Sequence, residues 1–98
     1  MVFVRLTKHD QYQQQLIDKI QDSYESLSTN IKITKKKRTL AEIDILAKNG
    51  NTFDAYEVKC SYRITKARAQ AKSIRKHFSK NIKNFYFYCG ATASLILI

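Results

Sequence analysis

The sequence predicts a mixed α/β domain, a central β-sheet flanked by helices, and three observations carry that expectation. Two short apolar-alternating segments, Glu42-Ile43-Asp44-Ile45-Leu46 and Tyr56-Glu57-Val58-Lys59, bracket an Asn49-Gly50-Asn51 turn. Asn-Gly between alternating hydrophobics is a strong local signal for a β-hairpin. Two further stretches repeat apolar residues at helical spacing. The second of them lies between strand-like runs, which implies a parallel crossover in one sheet.

Taken in order, residues 1–6 read as an edge strand or a tail. Thr7 with Asp10 three residues later resembles a capping box. It opens a helix over 8–27, with Tyr12, Leu16, Ile17, Ile20, Tyr24 and Leu27 on one stripe. Residues 31–38 form a strand with a basic far end, and 40–48 and 53–61 are the hairpin strands. Thr65 caps a second helix over 66–79, with Ala67, Ala71, Ile74 and Phe78 at helical spacing. Phe85-Tyr86-Phe87-Tyr88 marks a strand over 84–89, and 94–98 a short final one. The expected order is α-β-β-β-α-β-β, an α/β sandwich.

A chain of 98 residues at 44% hydrophobic content suits one small domain with one core. With no proline and two glycines there is little material for linkers, and no repeat or low-complexity tract stands out. The longest apolar run, Leu95-Ile96-Leu97-Ile98, is far short of the ~20 residues a membrane span needs. The N-terminus lacks the long apolar stretch of a signal peptide. The expectation is an intracellular, cytoplasmic protein with no membrane partner, whether its gene is cellular, viral or plasmid-borne. Cys60 and Cys89 are too few and too far apart for a zinc knuckle or a redox CxxC pair, and both read as small core residues.

Charge is the second signal. The net charge is +10, all eight acidic residues lie at or before Glu57, and nine basic residues and no acid follow from Lys59 onward. Lys35-Lys36-Lys37-Arg38 forms a separate basic cluster. Such a field attracts polyanions, nucleic acid foremost.

Within the hairpin, register follows from counting. A two-residue loop at Asn49-Gly50 sets Glu42 opposite Glu57, and a four-residue loop over 49–52 sets Asp44 opposite Glu57. Either way, period-two alternation puts Asp44, Glu57 and Lys59 on one face. Opposed carboxylates repel, so a chain that keeps them points to a cation between them. Two carboxylates and a lysine are what metal-assisted phosphodiester hydrolysis uses: a hard cation takes one or two carboxylates plus water and phosphate oxygens. A lysine beside the water can orient or deprotonate it and pair with the phosphate.

Glu42-Ile43-Asp44-Ile45-Leu46, twelve hairpin residues after Asp44, and then Glu57-Val58-Lys59 resemble the signature of the PD-(D/E)XK nuclease superfamily. The version here is most similar to small archaeal Holliday-junction-resolvase-like endonucleases, and the likeness in element order spans roughly residues 8–90. The resemblance implies a restriction-endonuclease-like fold. It also implies Asp44, Glu57 and the Val58 carbonyl as ligands of Mg²⁺, with Mn²⁺ able to substitute, and Lys59 as the catalytic lysine. Gln70 matches a polar position on the following helix that points into such sites. Many members carry a glutamate in the first helix; here that region reads Tyr12-Gln13-Gln14-Gln15. Asp10, Glu42 or a glutamine of the 13–15 run is left to complete the site.

For substrate, the second helix presents Lys66, Arg68, Lys72, Arg75, Lys76 and Lys80 away from its apolar stripe, and Lys35, Lys36, Lys37 and Arg38 lie just before the hairpin. Contacts of this kind fix position rather than sequence. The expected activity is a DNA endonuclease selective for branched or duplex structure. It is expected to be a homodimer that meets through 95–98 or the second helix's free face. The same residues also suit flap, single-strand, duplex or RNA cleavage, or a non-catalytic nucleic-acid-binding protein on a decayed nuclease fold. His77 receives no role, and Tyr86 and Tyr88 read as sheet packing.

Overall fold

The computed structural model describes residues 6–98, so the expected edge strand or tail at 1–6 falls, apart from Leu6, outside the described residues. The elements are α1 (Lys8–Ile20), a 3₁₀ turn (Gln21–Ser23), β1 (Ser26–Lys35), β2 (Arg38–Asn49), β3 (Thr52–Lys59), α2 (Ile64–His77), β4 (Ile82–Cys89) and β5 (Ser94–Leu97). The strands form one open sheet in the order β1-β2-β3-β4-β5. Every neighbouring pair is antiparallel except β3 and β4, which α2 joins as a parallel crossover.

Thr7 caps α1 as its sequence suggests, its hydroxyl accepting the Asp10 amide at 3.1 Å. The helix nevertheless ends at Ile20, not at 27. The cause is tertiary: Asn49, at the far hairpin, accepts the Glu25 amide and donates to the Ser23 carbonyl, each at 2.9 Å. Those bonds draw the chain out of the helix, so Leu27 becomes a strand residue and β1 starts at Ser26. At its other end β1 turns through Lys36 and Lys37, with φ of 51° and 63°. Positive φ at both central residues is the signature of a type I′ hairpin turn, and it starts β2 at Arg38.

The helices cover opposite faces. Leu16 and Ile20 of α1 pack with Ile45, Ala47, Tyr56, Val58 and Tyr88. Ala71 and Ile74 of α2 pack with Ile33, Ile43, Leu46, Ala55, Ile82 and Phe85. The central strands are covered on both sides, so burial runs unbroken over residues 43–47 of β2 and 55–58 of β3, Asp44 and Glu57 included. Tyr86 stacks on Tyr56 at 4.9 Å and Tyr88 is buried, so both serve packing.

Two local expectations change. Helix α2 begins at Ile64 with Arg63 at the cap position and no side-chain cap, so Thr65 lies inside the first turn. Cys89 is buried, but Cys60 is exposed, because β3 stops at Lys59 and the alternation stops with it. Among the described residues no helix is long and apolar enough to cross a membrane.

Alternation also breaks inside β2. Ile43 and Leu46 face α2, whereas Ile45 and Ala47 face α1. The β1 partner does the same: Leu27 packs on the α1 side and Ile31 and Ile33 on the α2 side. The flip falls where Asn30 adopts φ of 54°, and Asn30 and Asp44 are skipped in a ladder whose register is the same from Ser26 to Ile33 and shifts only beyond it. Paired kinks thus take Asp44 off the strict two-residue period.

Candidate metal and nucleic-acid site

The β2–β3 ladder runs from Asn49↔Thr52 to Ile45↔Tyr56 and then ends. Beyond it β2 continues beside β1, and β3 beside β4, leaving a fork in the sheet. The tight turn is Gly50-Asn51, with Gly50 at φ 57°, and the next ladder position would set Asp44 opposite Glu57. That is the register the longer loop predicts. Strict two-residue parity does not hold at Asp44, however. The Asp44 carboxylate turns into the fork, where Oδ2 accepts the Val58 amide at 2.8 Å in place of a ladder bond. The Asp44 carbonyl, freed by the kink, accepts from Gln13 Nε2 at 2.9 Å, and the same amide lies 3.3 Å from Asn30 Oδ1.

Glu57 sits across the fork and is 2% exposed. Its Oε1 lies 3.2 Å from Lys59 Nζ. Its Oε2 is buried with no hydrogen-bond partner. Burial, followed by the charge of Asp44, pushes the Glu57 carboxyl up to about 8 against the pull of Lys59. An unpartnered buried carboxylate oxygen is costly, and native proteins rarely leave one without a purpose.

These groups open on a cavity of about 460 Å³ lined by His9 of α1, Glu42 and Asp44 of β2, and Glu57, Val58 and Lys59 of β3. Cys60, Ser61 and Arg63 of the following link and Gln70 of α2 complete the lining. Gln70 donates to the Glu42 carbonyl at 3.0 Å, spanning the cavity mouth from helix to strand.

Of the sequence-predicted residues, the structure therefore gathers Asp44, Glu57, Val58, Lys59, Gln70 and Glu42. It does not gather Asp10, which lines a separate hollow with Leu6, Gln13, Gln14, Ile17, Thr29 and Asn30. Asp10 stays at the first turn of α1, with its amide held by Thr7. In the glutamine run, Gln13 is buried and supports Asp44 from behind, while Gln14 bonds Asp18 on the surface.

The residue that sequence reasoning missed is His9. Its Nε2 stands 3.0 Å from the Val58 carbonyl oxygen and 3.4 Å from Asp44 Oδ2. A signal for it existed: His9, Gln13, Leu16 and Ile20 share one helical face, so the buried stripe of α1 continues into polar residues at its start.

The basic residues flank this cavity unequally. Lys36 and Lys37 cap the β1–β2 arm, whose strand runs on past the fork by four residues from Glu42 to Arg38, about 13 Å. Lys66, Arg68, Lys72 and Lys76 are exposed along α2. Arg75 is exposed too, but its guanidinium is tied back to the Ile82 carbonyl at 2.8 Å and lies over Phe85.

No protein-family model matches this chain, and no curated protein matches it. Among the described residues, no three or more His, Cys, Asp or Glu side chains gather into a metal-binding cluster. The oxygen donors at the cavity are two buried carboxylates, one with a free oxygen, and a backbone carbonyl. That set suits a hard cation that keeps waters and shares substrate oxygens, rather than one held in a closed protein cage.

Proposed function

We propose that this chain is a divalent-metal-dependent endonuclease of the PD-(D/E)XK kind, with a restriction-endonuclease-like fold, hydrolysing phosphodiester bonds in DNA. The observation that carries the reading is Glu57 Oε2, a buried carboxylate oxygen without a partner, facing Asp44 across an open cavity beside a lysine. The resemblance of Asp44, Glu57, Val58 and Lys59 to the superfamily signature supports it, as does the net charge of +10.

Asp44, Glu57 and the Val58 carbonyl would hold the cation, Mg²⁺ with Mn²⁺ as a substitute. The chemistry such a cation supplies is activation of water and offset of charge on the phosphate oxygens. Lys59 is held at the cavity by Glu57 Oε1, where its ammonium can pair with the scissile phosphate and orient the attacking water. Gln70 fixes α2 against β2 and leaves its amide oxygen at the mouth for a second polar contact. The β1–β2 arm and the exposed face of α2 take the phosphate backbone to either side.

Branched or duplex DNA is the substrate we favour, because the fold has basic rims and no separate base-reading domain among the described residues. A homodimer provides the two sites that paired scissions require. Leu95 and Leu97, exposed at 47% and 62% on the edge strand β5, support that interface. A second reading is a non-catalytic nucleic-acid-binding protein, favoured by the absence of an α1 carboxylate from the cavity lining.

The deciding experiment offers labelled four-way junction, flap, duplex, single-stranded DNA and RNA to the protein with and without Mg²⁺. Metal-dependent cutting of junction or duplex supports the nuclease reading. Metal-independent binding without cutting of any substrate supports the second.

A further inference from the structure

Resting on that nuclease reading, we propose that His9 is itself a ligand of the cation, through Nε2, standing where a first-helix carboxylate would stand. The nitrogen donor tilts the site away from Mg²⁺ toward first-row transition-metal ions, for which Mn²⁺ serves as the spectroscopic probe.

Three atoms carry this. His9 Nε2 lies 3.0 Å from the Val58 carbonyl oxygen and 3.4 Å from Asp44 Oδ2. In an octahedral site with bonds of about 2.1 Å, adjacent ligands are separated by about 3.0 Å; the Val58 spacing matches that and the Asp44 spacing is a few tenths of an ångström longer. The arrangement is held from behind. The Val58 amide fixes Asp44 Oδ2 at 2.8 Å, and Gln13 fixes the Asp44 backbone. A strand residue's amide and carbonyl point to the same side, so both Val58 groups face the fork that His9 enters. The His9 side chain is 37% exposed, which leaves its far edge open to solvent.

In the tautomer with its hydrogen on Nε2, the His9 ring donates to the Val58 carbonyl. Coordination through Nε2 would use the other tautomer, with the hydrogen on Nδ1. Carboxylate, carbonyl and water oxygens alone suit Mg²⁺, whereas imidazole nitrogen favours the first-row transition metals. A nitrogen added to Asp44, Glu57 and Val58 therefore changes which ion wins. It also accounts for a first helix that has no glutamate in the cavity yet places a polar ring there.

The test uses untagged, metal-free protein, with Mn²⁺ and Mg²⁺ titrated calorimetrically, alone and with a DNA four-way junction. Electron spin-echo spectroscopy of the Mn²⁺ form then detects any directly bonded nitrogen. His9→Gln keeps a side-chain donor for the Val58 carbonyl but removes the imidazole, and Glu57→Gln marks the site itself. The expected result is nitrogen coupling in the wild type that vanishes in His9→Gln. Mn²⁺ affinity should fall about tenfold or more in His9→Gln, with a smaller loss for Mg²⁺. Mn²⁺ binding that depends on Glu57 but shows no nitrogen coupling overturns the His9 assignment and leaves the nuclease reading standing. Tighter Mn²⁺ binding in His9→Gln overturns it also, since the ring would then be competing with the ion. If neither ion binds, with or without DNA, both readings fail.

Discussion

Asp54 and Glu57 lie three residues apart on β3 and face opposite fates. Both oxygens of Asp54 are satisfied: Oδ2 accepts from the Tyr24 hydroxyl at 2.6 Å, and Oδ1 from the Asn84 amide at 3.1 Å. Tyr56 joins the cluster through the Tyr24 hydroxyl, 2.6 Å away, and burial with these bonds raises the Tyr24 phenol far above its usual range. At Glu57, one oxygen has Lys59 and the other has nothing. A carboxylate whose acceptor capacity is met locally is structural. One kept buried, unmet and open to a cavity is poised for a ligand that the chain itself does not supply. The hairpin end of the β2–β3 pair is thus a clasp, and the fork end is a site.

That contrast is easiest to break by exchanging the two losses. Glu57→Ala should cut metal-dependent DNA cleavage by about a thousandfold or more while leaving DNA binding nearly intact, since the variant removes charge stabilisation and spares the basic rims. Asp54→Ala should do the reverse. It strands the Tyr24 hydroxyl and the Asn84 amide at a cost of about 1–3 kcal/mol, read as a lowered Tm, with cleavage by the folded fraction unchanged. A loss of specific activity in folded Asp54→Ala would erase the distinction.

Gly90→Ala sharpens it from the other side. A methyl group there would run into the Tyr12 ring, so the ring, or with it α1 that also carries His9 and Gln13, must shift. The expected penalty is about 1–3 kcal/mol, measured by denaturant unfolding, with weakened metal binding as a second consequence.

A smaller effect tests the burial of Glu57 by pH. Glu57 is raised to about 8 in the folded protein against an ordinary 4.5 in the unfolded chain. Between those values the folded form holds a proton that the unfolded form has lost, so this group's contribution to stability falls as pH rises through that window. Metal-free Glu57→Gln should therefore gain Tm relative to the wild type as pH rises from 5 toward 9. A Tm difference that stays flat across that range would contradict the burial argument.

How much of this was legible in the sequence depends on how local the determinants are. The hairpin, the α2 stripe and the nearness of Asp44, Glu57 and Lys59 follow from spacing and hairpin register, while Val58 and Gln70 entered through the family resemblance. What escaped depends on partners distant in sequence. Asn49, at the end of the neighbouring strand β2, bonds the segment that follows α1. Asn30 and Asp44 kink together, which no one-strand alternation can reveal. Asp10 matched the acid sought in the first helix, yet its capping role and helical phase keep it in another hollow while His9, one residue earlier, reaches the fork. The buried cysteine reading failed at Cys60 because the strand ended one residue too soon.

The central claim is that Glu57 Oε2 is kept free for a cation, and a calorimetric Mg²⁺ titration near neutral pH tests it most directly. Wild-type protein should bind Mg²⁺ and release protons to the buffer as the Glu57 carboxyl ionises, and Glu57→Gln should lose both the binding and the proton release. Equal Mg²⁺ binding by the two proteins would contradict the account.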